Sequence, residues 1–95
     1  MNRDQIIEFL RANKDEFARR FSVRKIGLFG SIARGEGDAG SDIDILVDME
    51  NPTFDQYMDL KFHLENVLGG TVDLVLLSTI KPRLKPIIAN EVVYA

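Results

Sequence analysis

Two aspartates separated by one residue are the side chains whose types and spacing best suit chemistry. Asp42 and Asp44 open a segment, 42–47, in which Ile and Val recur at every second position, so a β-strand is predicted. Because alternate side chains of a strand share a face, both carboxylates would lie on one side of a sheet. Two like charges held so close repel each other, and a divalent cation removes that repulsion. Aspartate oxygens suit Mg²⁺, which usually completes its ligands with waters and substrate phosphates.

A segment suited to phosphate binding precedes the aspartates. Gly30 and Ser31 lie where an apolar strand, 23–29, ends and a short helix, 31–34, is predicted to begin. Glycine permits a close backbone approach to a ligand, and the N–H groups at a helix start favour anionic oxygens. The Ser31 hydroxyl adds a donor, and Arg34 could neutralise triphosphate charge with its planar fork. The Gly-Lys-Ser/Thr ending of a Walker loop is missing, so the pattern indicates a different phosphate-binding design.

Asp73 is a third carboxylate, and it lies at a position where an acidic residue is unusual. It lies in the middle of a segment, 71–77, whose apolar and β-branched residues predict a strand. If this strand lies near the strand of Asp42 and Asp44, the three carboxylates could bind two metal ions about 3.5–4 Å apart, as suits in-line phosphoryl-type displacement. Asp73 would then also be placed to accept the proton of an attacking hydroxyl.

Each of these residues also has an ordinary structural interpretation. An isolated Asp-X-Asp pair is common at the entry of a strand on a solvated face, and Asp73 could be an exposed residue of an edge strand. Arg34 could equally be a surface arginine. The combination of Gly30, Ser31 and the three acids favours the functional interpretation. The single histidine, His63, is predicted to be a surface or structurally satisfied residue without a catalytic role.

The elements that must position these residues alternate between helix and strand. Apolar residues at helical spacing predict one helix from about 4 to 20 and another from 54 to 68, which Thr53 caps and a glycine pair ends. Strands are predicted at 23–29, 42–47 and 71–77, with a short helix at 84–90 and an edge strand at 92–94. This order predicts an α/β domain spanning residues 1–95, with a mixed sheet of about three to four strands packed by helices.

Several apolar residues of the second long helix are predicted to be buried. Its core-facing stripe is assigned to Tyr57, Leu60, Leu64, Val67 and Leu68. A neighbouring aromatic group is also assigned to the core, and its members are Phe54, Tyr57, Met58 and Phe62. By contrast, the basic residues near the carboxyl end, Lys81, Arg83 and Lys85, are predicted to form a solvated face.

Composition and charge exclude several classes of protein. The 95 residues are 45% hydrophobic and 28% charged, as in an ordinary globular domain, and the small core expected at this length makes a partner chain a natural source of further burial. The net charge of −3 and the pI of about 5.0 argue against direct nucleic-acid binding. The chain has no cysteine and no long apolar run at its amino terminus, so we expect a cytoplasmic protein without a membrane segment.

The combined motif resembles a known family. Gly30-Ser31, followed after ten residues by Asp42-Ile43-Asp44, is similar to the signature of the DNA polymerase β-type nucleotidyltransferase superfamily. The fuller string GSIARGEGDAGSDIDILVD resembles the minimal nucleotidyltransferases, called MNT domains, in particular. The resemblance covers nearly the whole chain, including the leading helix and the third acidic strand, and it implies the polymerase β-like nucleotidyltransferase fold.

The resemblance also implies a role for each residue of the motif. In this family pattern Asp42 and Asp44 bind two Mg²⁺ ions, and Asp73 binds the catalytic metal and helps to activate the acceptor. Gly30 and Ser31 hold the triphosphate of ATP, and Arg34 and Ser41 match positions near the phosphates. The expected nucleotide contacts are therefore Gly30, Ser31, Arg34 and Ser41.

The resemblance further implies a partner. Many minimal nucleotidyltransferases are antitoxins that transfer AMP from ATP to a tyrosine hydroxyl of a HEPN-domain ribonuclease toxin. Relatives that modify antibiotics or extend nucleic acids usually carry additional domains that hold the acceptor, which favours a protein acceptor here. Two alternatives remain open at this point. One is an antitoxin that acts by binding alone, and the other is an antibiotic-type, small-molecule nucleotidyltransferase working as a homodimer.

Overall fold

The computed structural model describes residues 1–38 and 40–95 and shows helices packed on a four-stranded mixed sheet. Its elements are, in chain order, α1 (Arg3–Ala12), α2 (Lys14–Phe21), β1 (Val23–Phe29), α3 (Gly30–Ala33), β2 (Ile43–Met49), α4 (Phe54–Leu68), β3 (Val72–Leu76), a 3-10 turn (Leu77–Thr79), α5 (Lys85–Glu91) and β4 (Val93–Tyr94). This arrangement confirms the predicted fold class. Within the described residues, no helix is both long enough and apolar enough to cross a membrane.

The order of the strands places β2 in the middle of the sheet. The order is β3-β2-β1-β4, with β1 antiparallel to both β2 and β4, while β2 and β3 run parallel. The parallel pair requires a crossover, and α4 supplies it. The strands that carry the predicted acids are therefore direct neighbours.

One face of the sheet, which we call the packed face, is covered by α1, α2 and α4. Its strand residues are buried and are Ile26, Leu28, Ile43, Ile45, Val47, Val72 and Leu74. The helices contribute Ile6, Ile7, Leu10, Phe17, Leu60 and Leu64, all of which are also buried. Burial of this apolar surface, worth roughly 25 cal/mol per Å², is what holds the sheet in place.

The opposite face, which we call the open face, carries the residues that alternate with the core positions. They are Asp44, Leu46 and Asp48 on β2 and Asp73 and Val75 on β3. A short apolar layer formed by α5 and the turn before it lies over part of this face, where Ile80 and Ile88 surround Leu46. Near Asp44 the neighbouring element is α3 instead.

The single leading helix predicted from about 4 to 20 is wrong, because the chain forms two helices. α1 ends at Ala12 and α2 begins at Lys14, with Asn13 between them at φ −110° and ψ 12°. The Asn13 side chain donates a hydrogen bond of 2.9 Å to the Phe9 carbonyl oxygen, which ends α1. The apolar spacing continues across the break, so periodicity alone could not reveal it.

The bounds of α4 agree with the prediction, while part of its predicted burial is wrong. The Thr53 hydroxyl accepts a hydrogen bond of 3.1 Å from the Gln56 N–H, and Gly69 ends the helix at φ +72°. Leu60, Leu64 and Leu68 face the core. However, Phe54, Phe62 and Val67 are exposed, with relative exposures of 75%, 55% and 43%. The apolar pattern of this helix did not distinguish these exposed positions from the buried ones.

Candidate active site

Asp44 and Asp73 are paired across the two parallel strands. Asp44 on β2 is the direct register partner of Asp73 on β3. Neighbouring strands lie about 4.8 Å apart, and paired residues point to the same face, so the two carboxylates share the open face. The strand of Asp73 therefore lies beside the strand of Asp44, as the sequence led us to expect.

Gly30 lies against the carboxylate of Asp44. The residue before it, Phe29, pairs with Asp44 across β1 and β2, and the chain then turns into α3 with Gly30 at φ +77°. A β-carbon added at Gly30 would lie 2.8 Å from Cγ of Asp44 and closer still to its Oδ2. Both the backbone conformation and the space beside Asp44 thus require glycine at this position.

The carboxyl of Asp44 has a raised pKa. Burial beside the sheet is the main cause, and the negative charges of Asp73 and Asp42 add to it. Arg34 acts in the opposite direction, while Glu91 raises the pKa further. Asp42 and Asp73 are therefore close enough to act on the charge of Asp44. Such a cluster favours a bound cation, because positive charge lowers the cost of ionising all three carboxyls.

Asp42 and Ser41 lie just before β2, which begins one residue later than predicted, at Ile43. Asp42 is exposed. Ser41 closes a tight loop, since its hydroxyl accepts a hydrogen bond of 2.9 Å from the Asp38 N–H and donates one of 3.2 Å to Asp38 Oδ1. Ala39, inside this loop, lies outside the described residues. Across residues 1–38 and 40–95, no three acidic or histidine side chains converge closely enough to form a ready-made metal cage.

Ser31 and Arg34 bracket α3, which begins at Gly30 rather than at the predicted Ser31. Ser31 is half-buried, and its carbonyl oxygen accepts a hydrogen bond of 2.8 Å from the Glu36 N–H. The Arg34 guanidinium donates to Glu36 at 3.0 Å and to Glu91 at 2.7 Å. The hydrogen bond to Glu36 is the main reason that the Arg34 pKa is raised. Sequence reasoning did not identify either glutamate as part of this neighbourhood.

The three acids lie apart from a cleft that opens beside α3. A cleft of about 490 Å³ lies beside α3 and the amino terminus, where Arg3, Ile32 and Gly37 line it, and none of the three aspartates does. The candidate site is therefore the carboxylate pair beside Gly30 and not this cleft. The Arg3 side chain, which donates to the Ala33 carbonyl oxygen at 3.0 Å, instead ties α1 to the end of α3.

The fold and the acidic pair beside a glycine turn define a nucleotidyltransferase. Residues 8–95 match the family described as the nucleotidyltransferase domain, so the chain belongs to this family and is an enzyme of that class. Among its relatives is protein adenylyltransferase MntA of Thermococcus cleftensis, which is 45% identical over 92 residues. The match covers 96% of this chain and 93% of the relative. The family resemblance inferred from the motif is confirmed.

Solved structures show the same similarity in three dimensions. A candidate minimal nucleotidyltransferase superposes with a TM-score of 0.83 at 33% identity, covering 98% of this chain and 95% of that one. A toxin–antitoxin structure with AMP-PNP gives 0.72 at 28% identity, covering 99% and 72%. An MNT antitoxin in complex with the tri-AMPylated HEPN toxin of Shewanella oneidensis gives 0.61 at 26%, covering 98% and 67%. The polymerase β-like nucleotidyltransferase fold is thereby confirmed.

Proposed function

We propose that this nucleotidyltransferase transfers AMP from ATP to a hydroxyl group of a partner protein and thereby acts as an antitoxin. The observation that carries the proposal is the pairing of Asp44 with Asp73 on adjacent parallel strands, directly beside the Gly30 turn. Acids and a close-approach glycine are the two components that binding of a metal–triphosphate complex requires.

The residues fit a pair of Mg²⁺ ions. Asp42, Asp44 and Asp73 supply oxygen ligands of the kind that Mg²⁺ prefers. The pKa of Asp44 is raised by burial and, to a smaller extent, by the charges of Asp73 and Asp42, and a bound cation would favour its ionised form. Asp42 and Asp44 would hold both ions and Asp73 one. Bound Mg²⁺ would neutralise the triphosphate and stabilise the charge that develops during transfer.

The side chains of this site suit a direct displacement. The absence of a side chain at Gly30 lets the Asp44 carboxylate lie directly against the turn that begins α3, and Ser31 and Arg34 would supply donors to the triphosphate oxygens. The acceptor hydroxyl oxygen forms a bond to the α-phosphorus, and the bond from that phosphorus to the oxygen bridging to the β-phosphate breaks. Pyrophosphate leaves, and the hydroxyl proton passes to the carboxylate of Asp73.

A protein acceptor is supported by the openness of the site and by the relatives. Asp73 is exposed and Asp44 is only half-buried, so a hydroxyl presented by another protein can approach. One relative is named a protein adenylyltransferase, and one structural neighbour is an antitoxin bound to an AMPylated HEPN toxin. We therefore propose a HEPN-domain ribonuclease as the partner and a tyrosine as its acceptor residue, with a cytoplasmic location for the pair.

The test is transfer of label from α-³²P-ATP, with Mg²⁺, to the product of the neighbouring gene. We expect label on the partner with the unchanged chain and loss of label with the Asp42→Asn/Asp44→Asn double variant. Asp48→Asn is the matched control, because Asp48 lies on the same strand and the same face but forms an ion pair with Arg24 at 3.5 Å instead. Its transfer activity should be unchanged.

Three results would contradict the proposal. Equal labelling by the unchanged chain and the double variant would show that Asp42 and Asp44 take no part in the transfer. Absence of label despite a tight complex, with the double variant still neutralising the partner's toxicity, would show an antitoxin that acts by binding alone. Labelling of an aminoglycoside, and not of the partner, would instead establish a small-molecule transferase.

A further inference from the structure

Arg34 connects the loop after α3 with the distant end of α5. Its Nε donates to Glu36 at 3.0 Å, two residues along the chain, and its Nη1 donates to Glu91 at 2.7 Å, 57 residues along the chain. Glu91 is the last residue of α5. The second contact is therefore a tertiary one, and it fixes the guanidinium relative to the sheet.

The two glutamates hold Arg34 with unequal firmness. The Glu36 side chain is 66% exposed and lies in the loop that follows α3, so it is well solvated. The Glu91 side chain is 27% exposed. α5 is continued by β4, where Tyr94 pairs with Gly27 of the central β1. An ion pair that is less exposed and anchored to the sheet holds a guanidinium more effectively than a solvated one.

The orientation of Arg34 leaves part of its fork available at the site. A guanidinium has five N–H donors, and the two hydrogen bonds that its side chain makes among residues 1–38 and 40–95 occupy Nε and Nη1. Arg34 follows α3 directly, and its backbone N–H donates to the Gly30 carbonyl oxygen at 3.1 Å, so the ion pair lies one helical turn from the residue that contacts the Asp44 carboxylate. A phosphate bound beside Gly30 and Asp44 would thus lie within the reach of donors on the same fork.

We propose that Glu91 is a positioning residue, whose carboxylate holds the Arg34 guanidinium so that its remaining N–H donors contact the triphosphate of ATP. This inference rests on the proposed function and adds to it a residue outside the motif. Arg34 touches the nucleotide, while Glu91 acts only through Arg34. Because the positioned arginine acts on the triphosphate both before and during transfer, loss of Glu91 should weaken nucleotide binding more than it slows the chemical step.

The test compares Glu91→Gln with the unchanged chain in the steady-state transfer assay and in a titration with Mg²⁺ and AMP-PNP. We expect the KM for ATP and the Kd for AMP-PNP to rise about tenfold, the usual effect of losing a charge-assisted hydrogen bond, while kcat changes by less than about threefold. Glu91→Asp, which keeps the charge, should recover part of the affinity. In an Arg34→Gln background, Glu91→Gln should have no further effect, because the two residues act as one unit.

Glu16→Gln is the matched control. Glu16 accepts a hydrogen bond from Arg20 at 2.9 Å in a similar ion pair on α2, remote from the site, so its replacement should leave KM unchanged. A KM in Glu91→Gln equal to that of the unchanged chain would overturn the inference, and so would a lowered KM, which would show that Glu91 withholds Arg34 from the nucleotide. If the unchanged chain binds no AMP-PNP, the proposed function fails together with the inference. Binding to the unchanged chain with no effect of Glu91→Gln overturns the inference alone.

Discussion

The two faces of the sheet have opposite chemical character, and β2 contributes to both. On the packed face Ile43, Ile45 and Val47 are buried at 7%, 0% and 0% exposure, whereas Asp44 and Asp48 alternate with them on the open face and remain half-buried. The apolar face supplies the free energy of folding. The acidic face offsets part of that free energy, because Asp44 is partly buried and lies near two other carboxylates. The proposed site thus lies on the side of the sheet that contributes less to stability.

The largest expected effect comes from the packed face. Phe17 is fully buried and lies edge-on to Phe9, with ring centroids 6.1 Å apart. We expect Phe17→Ala to lower the free energy of unfolding by about 3–5 kcal/mol, because it leaves a cavity in the core. Urea unfolding would measure this loss. The control is Phe62→Ala, since Phe62 is 55% exposed and its loss should change stability by no more than about 0.5 kcal/mol. Equal losses in the two variants would contradict the division between the faces.

An intermediate effect is expected where the backbone meets the acids. Gly30 and Gly69 have nearly equal φ angles of +77° and +72°, but a β-carbon would meet Asp44 at the first and nothing within 4 Å at the second. Alanine at either position should lower the free energy of unfolding by about 1–2 kcal/mol, because the left-handed backbone is strained for it. Only Gly30→Ala should also reduce AMP transfer, by at least about tenfold, through displacement of the Asp44 carboxylate.

The unfolding and transfer assays together check this pair of glycines. Loss of transfer in Gly69→Ala as well would show that general strain, and not the contact with Asp44, affects activity. Full transfer in Gly30→Ala would show that transfer does not depend on the Gly30–Asp44 contact.

The smallest expected effect has the opposite sign. Burial and the neighbouring charges raise the pKa of Asp44 in the folded chain, so at neutral pH the ionised carboxyl favours the unfolded state. Asp44→Asn, measured without divalent cations, should therefore increase the free energy of unfolding at pH 7. The gain should shrink as the pH falls below the usual range of an aspartate, where both states are protonated. Urea unfolding at pH 7 and pH 3 provides the check, and a decreased stability at pH 7 would show that Asp44 is stabilising.

The sequence predicted those features that depend on local signals. The bounds of α4 are correct because Thr53 and Gly69 lie directly before and directly after the helix. The bounds of β1 are correct because Gly30 follows its apolar run. If Asp44 and Asp73 serve one site, their strands must be adjacent. The strand register places the two residues side by side.

Features that depend on tertiary packing could not be predicted in this way. The break at Asn13 leaves the apolar spacing intact, and the exposure of Phe54 is decided by which side of α4 meets the sheet. Similarly, the Arg34–Glu91 ion pair joins residues that are 57 positions apart and that share no sequence pattern. Such contacts arise only when α5 returns over the open face.

The most direct test of the account is a calorimetric titration of the isolated chain with AMP-PNP in the presence of Mg²⁺. We expect saturable binding by the unchanged chain and by Asp48→Asn. Binding by Asp44→Asn should be at least about tenfold weaker, because replacing a residue that only orients a metal ligand already weakens metal binding by about that factor. Equal binding by all three chains would contradict the assignment of the metal and nucleotide to the acids beside Gly30.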